Sequence, residues 1–233
     1  MNDNNENTEL IDKFVKKLQE YLDKYPEDKN KHLNGSSENR NMKYEVKSHY
    51  KLLSNLWCIN NNESKCTEPK RGYNAFEVDI AILRVTNDKD DGIPMIAIEL
   101  KTGSKYSATT HDILVSSSKA HKHKAIYPWL RYGLIWFNDQ PVTGKFFKNN
   151  EYIDFAGGIS NDDISLNNDK KSKKNKWNDL MEIIKDQLET AEKLYDIFSK
   201  NDDEIKSEDK ANYEFYSSKA YFKEIQDNNA NSK

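Results

Sequence analysis

Two ionisable residues, Glu99 and Lys101, end an otherwise apolar stretch that begins at Ile93. In an extended strand, alternate side chains point to opposite faces, so Glu99 and Lys101 share one face while Ile98 and Leu100 share the other. Burial of a charged group is costly unless the group is paired or binds a metal. The pattern therefore favours chemistry over packing at the end of this strand.

A second alternating stretch, residues 74–83, carries Asp79 on its polar face. Its apolar face is predicted to consist of Phe76, Val78, Ile80 and Ile82. The polar segment 86–92 between the stretches is typical of a turn, so they are expected to pair as an antiparallel hairpin. That pairing would bring Asp79 close to Glu99 and Lys101. Two carboxylates beside a lysine suit a hard cation such as Mg²⁺, and the lysine could orient or deprotonate a water or offset phosphate charge.

Composition and charge limit the classes of protein. The 233 residues are enough for one good-sized domain with extensions, and the 32% of charged residues predict solvated segments besides the core. The net charge of −3 means that any nucleic-acid surface must come from local clustering. Cys58 and Cys66 match no zinc spacing, so free thiols in a reducing cytoplasm are expected. No signal peptide or membrane-spanning stretch is visible, which favours a soluble cytoplasmic protein without a membrane partner.

The remaining elements follow from periodicity and from turn residues. Apolar residues at helical spacing predict helices over residues 10–25, 42–57, 111–126 and 177–200. Thr8 is the expected N-cap of the first helix, and Pro26 is expected to end it. Further strands are predicted at 132–137, at Phe146–Phe147 and at 152–155, with a hairpin turn at 148–150 between the last two.

The order of these elements indicates a layered α/β domain. We expect an N-terminal helix and polar linker over residues 1–41 and a main domain with a C-terminal helix over 42–200. The charged tail 201–233 is expected to be partly helical or disordered, and a helix is favoured there only at 213–225.

A helix, a strand carrying Asp79, a strand ending in Glu99-Leu100-Lys101, then a helix and another strand follow one another over residues 42–156. This order resembles the PD-(D/E)xK restriction-endonuclease-like nuclease superfamily, and is most like a type II restriction endonuclease. Val78 stands where the family pattern has a proline, a departure that the family tolerates. The resemblance implies a mixed central sheet of four to five strands flanked by helices, with N- and C-terminal helical extensions.

The resemblance also implies a Mg²⁺-dependent phosphodiesterase that acts on double-stranded DNA. Asp79 and Glu99 would hold the metal with the Leu100 carbonyl, and Lys101 would position or activate the attacking water. The alternative is a surface salt-bridge cluster on a solvent-facing side of the sheet.

Some members of the superfamily carry a further glutamate on the first helix of the core. Glu45 lies in the corresponding place and is predicted as a fourth catalytic residue, although it could be an ordinary solvated glutamate. Glu77 is the competitor for this role, because it shares the polar strand face with Asp79.

A basic cluster lies in the helix that follows the motif, where it could meet DNA phosphates and give affinity without reading bases. Its members are Lys119, Lys122, His123 and Lys124. Lys105 and Ser107, in the loop before this helix, and Arg131 are further predicted DNA contacts. The alternative for the cluster is a solvated helix face.

The leading hypothesis is a sequence-specific type II restriction enzyme with no organic cofactor. Such enzymes are commonly homodimers, and the apolar face of the last helix could serve a dimer interface or pack on its own domain. The alternatives are a structure-specific repair, recombination or phage-defence nuclease of the same fold, and a non-catalytic DNA-binding module. The recognition sequence is not readable, because several side chains must converge to read each base.

Overall fold

The computed structural model describes residues 3–25, 43–54, 71, 74–85, 92–101, 109–137, 142–165 and 176–199. The helices are α1 (Asp3–Leu22), α2 (Thr110–Lys124), α3 (Gly144–Asn149), α4 (Asn161–Ser165) and α5 (Lys176–Ser199). The strands are β1 (Lys43–Leu53), β2 (Ala75–Val85), β3 (Ile93–Lys101), β4 (Arg131–Trp136) and β5 (Phe155–Gly158). The predicted linker after Pro26, the loop before Thr109 and the tail 201–233 lie outside the described residues.

The strands form one mixed sheet in the order β1-β2-β3-β4-β5. The pairs β1–β2 and β2–β3 are antiparallel, which confirms the predicted hairpin, whereas β3–β4 and β4–β5 are parallel. Helix α2 makes the crossover that parallel pairing of β3 with β4 requires. Because parallel strands end at the same edge, the end of β3 at Lys101 lies beside the end of β4 at Trp136. The α/β class with a mixed sheet is confirmed.

Helices cover both faces of the sheet and bury two hydrophobic clusters. The α1/α5 cluster includes Phe14, Leu18, Ile80, Ile82, Ile96, Ile98, Leu100, Ile184 and Leu188. The α2/α3 cluster includes Val78, Ala81, Ala97, Ile113, Ala120, Tyr132, Leu134 and Phe146. Burial on both faces explains why β3 reads as a nearly continuous apolar run. Helix α1 contributes Phe14 and Leu18 to the first of these clusters.

Strand β1 corrects the prediction of a helix over residues 42–57. The segment pairs with β2 along its whole length, from Lys43 opposite Val85 to Leu53 opposite Ala75. At its start, burial alternates with a period of two, since Tyr44 is buried and Glu45 is exposed. The apolar spacing in this segment fitted a helix, but pairing with a distant strand decided the outcome.

The two phenylalanines predicted as a strand lie instead in the short helix α3. Phe146 packs into the α2/α3 cluster, while Phe147 is 73% exposed. The predicted hairpin turn at 148–150 was also wrong, because β5 begins only at Phe155 and runs parallel to β4. The Asn150 side chain exchanges hydrogen bonds with the backbone of Ile153, which stabilises a connection of a different kind.

The predicted helices over residues 111–126 and 177–200 are confirmed as α2 and α5. A capping box begins α2: the Asp112 N–H donates to Thr109 Oγ1, and the Thr109 N–H donates to the Asp112 carboxylate. Helix α1 begins at Asp3, so Thr8 lies inside it and is not its N-cap. In the part of the chain that the structure describes, no helix is both long and apolar enough to span a membrane.

Strand β2 does not keep one apolar face, as the sequence predicted. Val78 packs in the α2/α3 cluster, whereas Ile80 and Ile82 pack in the α1/α5 cluster. The change of face occurs at Asp79. The register has no pair between Ser48–Ile80 and Tyr50–Val78, and His49, which lies in this gap, has a φ of 50°, which is unusual for a residue with a side chain. The β1–β2 ladder is therefore irregular at the level of Asp79.

Candidate active site

Glu99 lies near the end of β3 and is only 2% exposed. Its Oε1 accepts hydrogen bonds from Lys119 Nζ of α2 at 2.9 Å and from the Tyr132 hydroxyl of β4 at 3.0 Å. Its Oε2 lies 3.5 Å from Lys101 Nζ. Charge-assisted hydrogen bonds from three neighbouring groups offset the cost of burying this carboxylate.

Asp79 lies beside Glu99, as the predicted hairpin required. Its Oδ2 accepts a hydrogen bond from the Leu100 N–H at 2.6 Å. Burial raises the pKa of Asp79, and the negative charge of Glu99 raises it further, while the Leu100 N–H, Lys101 and Lys119 act in the opposite direction. The two carboxylates are therefore close enough to repel each other in a partly buried place.

The donor set of this site fits Mg²⁺ with few protein ligands. Mg²⁺ prefers oxygen, keeps several waters and is usually held by one or two carboxylates. A divalent cation at Asp79 and Glu99 would relieve their repulsion, and the Leu100 carbonyl is a third oxygen nearby in the chain. Among the described residues, no three His, Cys, Asp or Glu side chains come together as a metal site.

Lys101 and Lys119 are the two cationic neighbours of Glu99. The Lys101 side chain is 32% exposed and that of Lys119 is 26% exposed, so both are far more accessible than the carboxylate itself. The Lys119 ammonium also lies 3.5 Å from the backbone carbonyl of Glu77. The sequence placed Lys119 among predicted DNA contacts; the structure brings it into the carboxylate site.

Tyr132 is a site residue that sequence reasoning missed. It is fully buried, and its hydroxyl donates to Glu99. Burial and the adjacent Glu99 charge hold the pKa of Tyr132 well above its usual range, so the phenol stays protonated as a donor. The available signal was a tyrosine in a central apolar strand, because a buried hydroxyl normally finds a partner.

The structure does not bring Glu45 to this site. Glu45 lies on β1 opposite Leu83, and its carboxylate is 3.2 Å from Lys47 Nζ. Its predicted place on a helix was wrong because the whole segment is a strand. The carboxylate of the competitor, Glu77, pairs with His49 at 3.5 Å and Arg71 at 3.7 Å.

The predicted phosphate-binding role of His123 conflicts with its burial. The side chain is fully buried, its Nδ1 lies 3.0 Å from the Leu53 carbonyl, and its ring stacks on Tyr132. Burial lowers the pKa of His123, which favours the neutral ring. It therefore has no surface to offer to DNA. Its neighbour Lys122 lies over the ring of Phe76, 5.1 Å from the centroid.

Lys124 and Arg131, two of the predicted phosphate contacts, are both paired with Asp154. Lys124 Nζ and an Arg131 Nη each lie 2.7 Å from a carboxylate oxygen of Asp154, and Arg131 Nε donates to Gln187. Asp154 also accepts the Tyr132 N–H at 2.6 Å, so these charges fasten α2 and β4 to the segment before β5. The remaining predicted contacts, Lys105 and Ser107, lie outside the described residues.

No protein-family model matches the chain, and neither a curated protein nor a solved structure shows significant similarity to it. The groups around Glu99 are therefore the basis for assigning an activity. They comprise a second carboxylate, two lysines and a buried phenol, which come from β2, β3, α2 and β4.

Proposed function

We propose that this protein is a Mg²⁺-dependent endodeoxyribonuclease that hydrolyses phosphodiester bonds of double-stranded DNA as a sequence-specific type II restriction enzyme. The observation that carries the proposal is the convergence of Asp79 and Glu99 beside Lys101 at the end of β3. A hard cation would account for two carboxylates that repel each other in one partly buried place.

The order of four elements supports the same proposal. Strands β2 and β3, helix α2 and strand β4 follow one another as in the PD-(D/E)xK resemblance and carry Asp79, Glu99 and Lys101, whereas the first element of that order, the helix expected over residues 42–57, is strand β1. We therefore propose a restriction-endonuclease-like core.

Each site residue has a distinct role in this proposal. Asp79 and Glu99, with the Leu100 carbonyl, would hold Mg²⁺, which when bound polarises the phosphate and stabilises charge on the leaving oxygen. The Leu100 N–H fixes the orientation of Asp79, and Tyr132 fixes that of Glu99. Lys101, whose side chain is partly exposed, would orient the attacking water and assist its deprotonation.

Plasmid and phage DNA incubated with the protein and Mg²⁺ test the proposal. We expect discrete fragments with Mg²⁺ and none when EDTA is added. Asp79→Asn and Lys101→Met should each reduce cutting by at least about a hundredfold, because each removes a group from the reacting centre. The matched controls Asp186→Asn and Lys193→Met change exposed residues on α5 and should cut like the wild type.

Circular dichroism must first show that all four variants fold. Undiminished cutting by both site variants, or cutting that resists EDTA, would rule out this site. Cleavage restricted to branched or nicked DNA would instead indicate a structure-specific nuclease. Tight DNA binding without cleavage under any metal condition would indicate a non-catalytic DNA-binding module.

A further inference from the structure

The ion pair between Lys119 and Glu99 joins α2 to the deepest carboxylate of the site. Lys119 Nζ lies 2.9 Å from Glu99 Oε1, while Lys101 Nζ lies 3.5 Å from Oε2. Each oxygen of the buried carboxylate therefore has an ammonium group beside it. Lys119 has the shorter contact of the two.

Glu99 Oε1 has little capacity left for a metal ion. It already accepts hydrogen bonds from Lys119 and from Tyr132, and an oxygen of a carboxylate has about two lone-pair positions. Whichever oxygen a cation takes, the positive charge of Lys119 on the same carboxylate opposes it. Metal binding is thus expected either to displace a hydrogen-bond donor from Glu99 or to be weakened by repulsion from the Lys119 ammonium.

Lys119 is the donor that can leave. Tyr132 is fully buried in the α2/α3 cluster and has no room to move its ring. Lys119 is 26% exposed and carries its charge on a flexible four-carbon stem. Once released, its ammonium would stay near Glu99 because α2 is fixed in place by buried side chains such as Ile113 and Ala120.

We propose that Lys119 is a built-in counter-cation, which neutralises Glu99 until a divalent metal takes its place and then binds a phosphate of the DNA beside the site. This inference rests on the proposed nuclease function. It differs from the simple phosphate contact predicted for the basic cluster. Here the Lys119 ammonium would first pair with the Glu99 carboxylate and would then move to a DNA phosphate. Metal and DNA binding are then coupled, and each must raise the affinity of the other by the same factor.

The first test measures Mn²⁺ binding without DNA, from the loss of the free Mn²⁺ signal in electron paramagnetic resonance at pH 8. Lys119→Met should bind Mn²⁺ about three- to tenfold more tightly than the wild type, because a competing charge has been removed. Unchanged or weaker binding would overturn the proposal, since a lysine that only positions Glu99 would give that result. Lys119→Arg keeps the charge and should behave like the wild type.

Two controls distinguish a failure of the counter-cation role from a failure of the proposed metal site. Lys193→Met removes one exposed charge from α5 and should leave the Mn²⁺ affinity unchanged. Asp79→Asn should abolish the binding in the wild-type background. If Asp79→Asn has no effect, the proposed metal site itself fails. If it abolishes binding but Lys119→Met does not strengthen it, only the counter-cation role fails.

The second test measures the coupling. A phosphorothioate duplex, which is cut slowly, is added in excess and the Mn²⁺ affinity is measured again. We expect the duplex to raise the Mn²⁺ affinity of the wild type by several-fold and that of Lys119→Met by clearly less. Equal enhancement in the two proteins would contradict the transfer of Lys119 to a phosphate.

Discussion

The carboxylate of Asp79 takes the place of a strand partner for the N–H of Leu100. The hydrogen bond is 2.6 Å long, and it lies just beyond Ile80 and Ile98, the last residues paired between β2 and β3 at this end. One side chain thus closes the open end of the hairpin and also places a negative charge beside Glu99. Asp79 therefore has a structural role in the hairpin and a proposed role in binding the metal.

The two roles of Asp79 can be separated by substitution. Asp79→Ala should lower the free energy of unfolding by about 1–3 kcal/mol, because the buried Leu100 N–H loses its acceptor. Asp79→Asn keeps an acceptor oxygen and removes the repulsion with Glu99, so its cost should be smaller, although the proposed function predicts a severe loss of cutting for both variants. Urea denaturation measures the difference. An equal cost for both variants would show that this hydrogen bond does not stabilise the fold.

Glu192 is expected to make stability depend on pH. It lies on α5, only 7% exposed, and burial together with the nearby charge of Asp196 raises its pKa to about 7. Below pH 4.5 the group is protonated in both states. Between pH 4.5 and 7, Glu192 loses its proton in the unfolded chain but largely keeps it in the folded protein. The free energy of unfolding should therefore fall by up to about 3 kcal/mol over this range and level off above pH 7.

Urea denaturation of Glu192→Gln over the same pH range checks this expectation, because the variant should lack that part of the fall. Glu182→Gln, an exposed change on the same helix, should follow the wild type. Parallel curves for wild type and Glu192→Gln would exclude the effect.

Asp154 should be a structural anchor and not part of a DNA surface. Asp154→Ala leaves Lys124 and Arg131 partly buried without their carboxylate and removes the acceptor of the Tyr132 N–H. We expect the free energy of unfolding to fall by about 2–4 kcal/mol. Asp186→Ala, an exposed change within α5, should stay within about 0.5 kcal/mol of the wild type in the same urea titration. A similarly small change for Asp154→Ala would contradict this role.

Gly133 should tolerate no side chain, because β5 lies close to it. A Cβ atom at this position would stand 2.3 Å from the ring of Phe155. Gly133→Ala is expected to cost about 1–3 kcal/mol of stability through overpacking, and Phe155→Leu in the same chain should restore part of it. The matched change Gly157→Ala meets nothing within 4 Å and should be nearly neutral in thermal unfolding.

The parts of the site that were predictable are those encoded over short distances. The alternation around Glu99 and the polar turn before Gly92 are local signals, and they gave the hairpin that carries Asp79 and Lys101. Helix α2 was also predicted from a local signal, since Pro128 marks its end in the sequence, and the predicted start at His111 lies one residue from the observed start at Thr110.

The parts that were not predictable depend on distant pairing. Strand β1 has a spacing that also fits a helix, and only its ladder with β2 decides between the two, so Glu45 was assigned to the wrong kind of element. The contact of Tyr132 with Glu99 requires the parallel register in which Leu134 lies opposite Glu99. The crossover through α2 sets that register, and no short-range sequence pattern predicts how β3 and β4 align.

The capping box of α2 has a consequence for insertions and deletions. It fixes where the helix begins, and so it fixes the angle at which each later side chain leaves the helix axis. One residue added or removed between Thr109 and Lys119 would rotate the Lys119 side chain by about 100° and shift it by about 1.5 Å, away from Glu99. The spacing between these two residues is therefore expected to resist length change.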